Sequence, residues 1–121
     1  MVLIGIHAAV DHEKEVCFLK SAEAIGTTPT GSLVVLDFNE SDLALYATCE
    51  VPLGVIVHNI REFVLLMNTR VRYAIASLEL AAELQKLADH YLSDVKVLAH
   101  TKASALDTVA LAGIDGILVK A

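Results

Sequence analysis

Short runs of aliphatic residues alternate along this chain with longer segments in which apolar and polar positions mix. The runs are Val2–Ile6, Leu33–Leu36, Leu53–Val57, Val71–Ala76, Val95–Ala99 and Ile117–Val119. Most are continuous in Val, Ile and Leu rather than alternating, the signature of parallel strands covered on both faces. The intervening segments read as helices. Asp11 opens the first, with acidic residues in its opening turn, where the helix dipole favours them. Val10, Cys17, Phe18 and Ile25 share one face of it, Gly26 fits its end, and Thr27–Gly31 follows as a loop. Ser41 caps a short second helix holding Leu43, Leu45 and Tyr46. Asn59, with Glu62 three positions later, forms a capping-box-like start to the third. The fourth begins at Ser77 and carries Leu80, Leu84, Leu87 and Tyr91 on one stripe. The fifth runs from Thr101 or Ala103 to Ala112, with Leu106, Val109 and Ala110 inward and Gly113 as a stop.

Alternation of strands and helices implies right-handed crossovers and an α/β fold. The expected architecture is a three-layer sandwich, Rossmann- or flavodoxin-like, with a mostly parallel sheet of five or six strands and helices on both faces. Half of a βα barrel is the alternative, because its repeating unit looks the same at this level. The length of 121 residues suits a single domain spanning 1–121.

Composition sharpens this picture. Apolar residues make up 55% of the chain, above the usual value of about 45–50%. There are only six aromatic residues and no tryptophan, so aliphatic side chains must build the core. The excess is absorbed by covering both faces of a sheet or by burial between subunits. The third helix is apolar nearly all round. Its stripe Ile60, Phe63, Val64 and Met67 is joined by Leu65 and Leu66, which marks it as a candidate subunit interface. A homo-oligomer formed through Ile60, Phe63, Leu65, Leu66 and Met67 is the expectation.

The net charge of −6 disfavours binding to phosphate backbones. Arg61, Arg70 and Arg72 form the only local basic group and read as a solvated face, so nucleic acid is not expected as a partner. Cys17 and Cys49 match no CxxC-type spacing and read as reduced thiols. The apolar N-terminal run lacks a basic region before it, unlike a signal peptide. The longest stretch without Asp, Glu, Lys or Arg, Ala24 to Leu36, is too short and too polar to span a bilayer. A soluble, cytoplasmic protein with no membrane partner is expected.

In parallel α/β sheets and βα barrels, ligands bind beyond the carboxyl ends of the strands. That edge here carries His7, Asp37, Asn39, Glu40, His58, Asn59, Ser77, His100 and Thr101. Three of the five histidines end strands, while His12 and His90 fall on expected helices. Imidazoles from His7, His58 and His100 with Asp37 would suit zinc, but the ligands come from separate loops and no compact motif supports a metal. Acid–base chemistry or binding of a phosphate ester is the second reading. It takes His7, Asp37, His58 and His100 as candidate catalytic groups and Asn39, Asn59, Ser77 and Thr101 as candidate ligand-binding groups. The structural alternative is that Asn59, Ser77 and Thr101 are helix caps, with Asp37 and Asn39 serving the second helix in the same way. No GxGxxG, GxxxxGK[ST] or GxSxG motif is present, and no cofactor follows from the sequence. The reading is therefore a small-molecule binding protein or enzyme, with an anionic or phosphorylated ligand. The alternative is a non-enzymatic oligomeric domain acting through the third helix.

Two local resemblances lie in the tail. The segment Val95-Lys96-Val97-Leu98-Ala99-His100-Thr101, with Ala112-Gly113-Ile114-Asp115-Gly116-Ile117-Leu118-Val119-Lys120-Ala121, resembles the end of a response-regulator receiver domain. That likeness implies roles for Thr101 and Lys120, with Asp37 as phosphoacceptor. The first strand, however, ends in Gly-Ile-His rather than an acidic pair, and two extra strand–helix units separate Asp37 from Thr101. The phrase Leu111-Ala112-Gly113-Ile114-Asp115-Gly116-Ile117 is equally similar to βα units of phosphate-binding barrel enzymes, and it reports turn geometry rather than activity.

Overall fold

The computed structural model describes residues 1–120; Ala121, the last residue of the expected domain, lies outside them. The strands are β1 (Val2–Ile4), β2 (Val16–Phe18), β3 (Leu33–Asp37), β4 (Leu53–Ile56), β5 (Tyr73–Ala76), β6 (Lys96–Thr101) and β7 (Gly116–Val119). The helices are α1 (Leu43–Thr48), α2 (Ile60–Leu66), α3 (Leu78–Tyr91) and α4 (Leu106–Leu111), with short 3-10 turns at Ala22–Thr27, Glu40–Asp42 and Ala103–Ala105. All six expected strands form. The seventh, β2, falls where the sequence suggested the first helix. Val16, Cys17 and Phe18 pair in parallel with Leu33, Val34 and Val35, and a segment with valine and phenylalanine suits a sheet edge better than an isolated short helix.

The sheet is parallel throughout, in the order β1-β7-β6-β5-β4-β3-β2. Its two faces are covered differently. On the outer face Val34, Leu36, Val55, Ala74, Ala76, Val97, Ala99 and Ile117 pack with Tyr46, Phe63, Leu66, Ala81, Leu84 and Val109 of the helices. On the inner face Ile4, Leu33, Val35, Tyr73, Ile75, Leu98 and Leu118 are buried, and Val2, Val16 and Ile56 pack against them. Every residue of this second cluster comes from a strand. The inner face is therefore closed by the sheet curling onto itself, not by a second layer of helices. Of the two expected arrangements the structure takes the partial-barrel form, with helices on one face where the sequence suggested both.

Curling is visible across the inside. Phe18 of β2 and His100 of β6 stack with ring centroids 6.2 Å apart, although three strands separate them in the sheet order. Four strand spacings in a flat sheet would put them about 19 Å apart. At the amino-terminal end Glu13 accepts hydrogen bonds from the Tyr73 hydroxyl at 2.7 Å and the Arg72 guanidinium at 3.0 Å. Burial and this carboxylate both push the Tyr73 hydroxyl to a higher pKa. Gly116 allows the tight contact of β7 with its neighbours, since a Cβ there would meet the Val2 carbonyl oxygen at 2.2 Å and Leu98 Cδ2 at 2.8 Å.

The ends of the sheet order, β1 and β2, are edges. The chain between them shields β1: the His12 backbone N–H donates to the Leu3 carbonyl at 2.8 Å, and His12 Nδ1 accepts from the Leu3 N–H at 3.2 Å. Occupying the edge's own donor and acceptor in this way blocks further strand pairing there. The Asp11 carboxylate, which the sequence suggested as a helix start, instead gathers the N–H groups of Gly5, Ile6 and His7 at 3.0–3.1 Å and turns the chain back.

Three helices bury a different stripe from the expected one. In α2, Phe63 and Leu66 face the sheet and are fully buried, whereas Ile60 and Val64 are 46% and 44% exposed. Phe63 and Leu66 thus leave the expected interface, because their apolar surface is spent on the core. In α3 the buried residues are Ala81, Leu84, Gln85 and Ala88, and Tyr91 is exposed. Small side chains there bring the helix close to β5 and β6. Gln85 is satisfied by accepting the Asp115 N–H at 2.9 Å and donating to Asp89 at 2.9 Å, and Asp115 in turn accepts the Val97 N–H at 2.9 Å. In α4, Val109 is buried but Ala110 faces outward.

Candidate functional site

Side chains alternate across a strand, so the residue two positions beyond an inward one points inward as well. Counting from Val16, Val35 and Leu98 of the inner cluster reaches Phe18, Asp37 and His100 at the carboxyl ends of β2, β3 and β6. The same count from Ile56, Ile75 and Leu118 reaches His58, Ser77 and Lys120, each just past its strand. This rim is where the candidate chemistry gathers.

His58, Ser77, His100 and Lys120 line one cleft of about 330 Å³, walled by Ile56, Val57, Ala76 and Leu80. His100 is half-buried. Burial, followed by the nearby Lys120 ammonium, pulls its pKa below the ordinary histidine value. His58 is exposed and lies between two carboxylates, with Nε2 3.7 Å from Asp37 Oδ1 and Nδ1 3.5 Å from Glu62 Oε1. Both separations are within ion-pair reach and longer than a hydrogen bond. The His58 backbone N–H donates to Glu62 Oε1 at 2.8 Å, and the Glu62 N–H donates to Asn59 Oδ1 at 2.9 Å. This reciprocal pattern is the capping box read from the sequence, shifted so that Glu62 reaches His58.

A second, more polar cleft of about 620 Å³ lies alongside. It is lined by Lys20, Asp37, Asn39, Glu40, Arg61 and Glu62, among others. Arg61 and Glu40 are ion-paired across it, which holds the Glu40 carboxyl below its usual range and raises the Arg61 guanidinium. Asp37 joins the two clefts through His58.

The structure thus brings Asp37, His58, Ser77 and His100 together. His7 stands apart: its N–H donates to Asp11 and its Nδ1 accepts the Ala9 N–H at 3.0 Å, both within the turn after β1. Asn39 Oδ1 is occupied by the Ser41 N–H and hydroxyl, and Asn59 Oδ1 caps α2. Thr101 follows the outward alternation of Ala99. Ser77 does both jobs, capping α3 by accepting the Leu80 N–H at 3.4 Å while lining the cleft. The sequence reading did not place Phe18 or Lys120 beside the histidines. Counting by twos from Leu118, within an expected strand, reaches Lys120; Phe18 follows from Val16 only once β2 is known to be a strand.

Among the described residues, no group of three or more His, Cys, Asp or Glu side chains is close enough to hold a metal ion. The zinc arrangement is not assembled: His7 is turned away, and His58, His100 and Asp37 do not form such a group either. No helix among the described residues is long and apolar enough to cross a membrane. Comparison with models of known protein families, with curated proteins and with solved structures finds nothing that matches this chain.

The lowered pKa of His100 fixes a sign for pH dependence. The unfolded chain takes up a proton near pH 6.5, while folded His100 resists it until the pH is lower. Its contribution to stability is therefore complete above about pH 6.5 and is lost as pH falls through the folded pKa. Urea unfolding of wild type and His100→Gln between pH 8 and 5 should show a shallower acid decline in the variant. Identical declines would contradict the desolvated setting of His100.

Proposed function

We propose that this chain binds a small anionic, phosphate-bearing molecule at the carboxyl ends of β4–β7. The observation that supports this reading is the convergence of His58, Ser77, His100 and Lys120 in one cleft. Lys120 supplies the fixed positive charge. Ser77 stands at the start of α3, a helix of 14 residues whose dipole favours negative charge at that end. An anion bound there would also favour the protonated form of His100, so affinity rises as the pH falls. Asp37 and Glu62 sit around His58 rather than against Lys120, so the cationic side of the cleft stays available. His58, held near two carboxylates, is the group best set to exchange a proton with a bound ester, which gives the enzyme form of this reading its acid–base residue. Asn39 and Asn59 act in this reading through the turns they cap, and Thr101 through its backbone carbonyl, which accepts the Lys120 N–H at 2.8 Å.

A second reading, association with another copy of the chain, is favoured by one observation. Ile60, Val64, Met67, Leu87, Tyr91 and Leu92 line a groove of about 580 Å³ between α2 and α3, and Tyr91 and Leu92 are 62% and 86% exposed. A chain that sediments as a monomer at all concentrations contradicts it.

Inorganic phosphate added to the protein near pH 6 should move the ring-proton resonances of His58 and His100 together, with one dissociation constant. It should raise the His100 pKa and leave His7 and His12 unmoved. Lys120→Met should weaken the response about ten-fold or more. Independent titration of both histidines, blind to phosphate, would overturn the anion reading.

A further inference from the structure

We infer that the bound molecule carries an aromatic ring on its phosphate, and that Phe18 is the residue that recognises the ring; the inference rests on the anion reading above. Phe18 is one of six aromatic residues in the chain. Tyr46, Tyr73 and Phe63 are buried, Phe38 packs against Tyr46, and the exposed Tyr91 lies far from the rim, on the groove between α2 and α3. Phe18 instead stays 56% exposed at the carboxyl end of β2, even though the inner cluster just beneath it is closed. Its exposed ring is not loose on the surface. It lies at 22° to the His100 ring with centroids 6.2 Å apart, and His100 is itself a wall of the cleft that holds Lys120.

An apolar π-face therefore adjoins a cationic cleft, with His100 shared between them. Inorganic phosphate would fill only the polar half and leave the Phe18 ring in water. A planar ring attached to that phosphate would cover Phe18 while its anionic end stays at Lys120 and Ser77. Stacked aromatic pairs are favourable beyond simple area burial. An aliphatic phosphate ester of similar size would gain less, because it has no π-face to offer.

The test compares inorganic phosphate, phenyl phosphate and cyclohexyl phosphate on the full chain by calorimetry and by histidine ring-proton shifts. Phenyl phosphate should bind about three- to ten-fold tighter than either of the others, and its ring protons should move upfield on binding. Phe18→Leu keeps apolar bulk at the position without a ring, and Phe18→Ala removes the bulk as well. Both should erase the advantage of phenyl phosphate while inorganic phosphate still binds, which also reports that the variants are folded. Equal affinities for phenyl and cyclohexyl phosphate would overturn the inference, as would an advantage that survives in both variants. Failure of inorganic phosphate itself to bind wild type would instead overturn the anion reading on which it rests.

Discussion

The structure depends on one constraint: the inner face of the sheet is as apolar as the outer face, yet the helices cover only the outer one. Seven inner residues, from Ile4 to Leu118, are buried in a cluster built of strand residues. Leaving them in water would forgo on the order of 10–20 kcal/mol, comparable with or larger than the whole stability of a typical domain, about 5–15 kcal/mol. A flat sheet is therefore not an option for this sequence. Curling brings Leu33, Val35, Tyr73, Ile75 and Leu98 into one cluster, and Glu13 ties Tyr73 and Arg72 at the amino-terminal end.

The same curl makes the site. Strand alternation fixes which residues follow the inner cluster upward, and the closing of the sheet draws those residues toward one another. His58, Ser77, His100 and Lys120 come from the carboxyl ends of four successive strands, yet they share a cleft. Phe18 reaches His100 across the opening only because β2 has swung round to it. Most polar side chains at this rim, His58, Ser77 and Lys120 among them, stay exposed above the packed apolar layer. His100, half-buried where the two regimes meet, has its pKa shifted by that position.

Much of this was legible in the sequence. Continuous aliphatic runs located six strands, and the carboxyl ends of those strands supplied Asp37, His58, Ser77 and His100. What escaped was what local pattern does not encode. Val16–Phe18 is too short to announce itself as a strand, and the acidic residues before it look like a helix start. Ala81 and Ala88 form the buried stripe of α3 because the helix approaches the sheet closely, a tertiary fact that favours small residues over Leu80 and Tyr91. His7 looked equivalent to His58 and His100 because it also follows a strand. Asp11, four residues on, captures its backbone and turns it away. The choice between a sandwich and a partial barrel turns on whether helices cover one face or two, and strand–helix alternation is the same in both.

The most direct test of the curled sheet is cross-relaxation between the ring protons of Phe18 and His100 in the unliganded protein. The curl predicts a clear contact between them, although three strands lie between β2 and β6 in the sheet order. Absence of that contact, with His100 still showing contacts to its neighbours on β5 and β7, would mean an open sheet and would contradict the account.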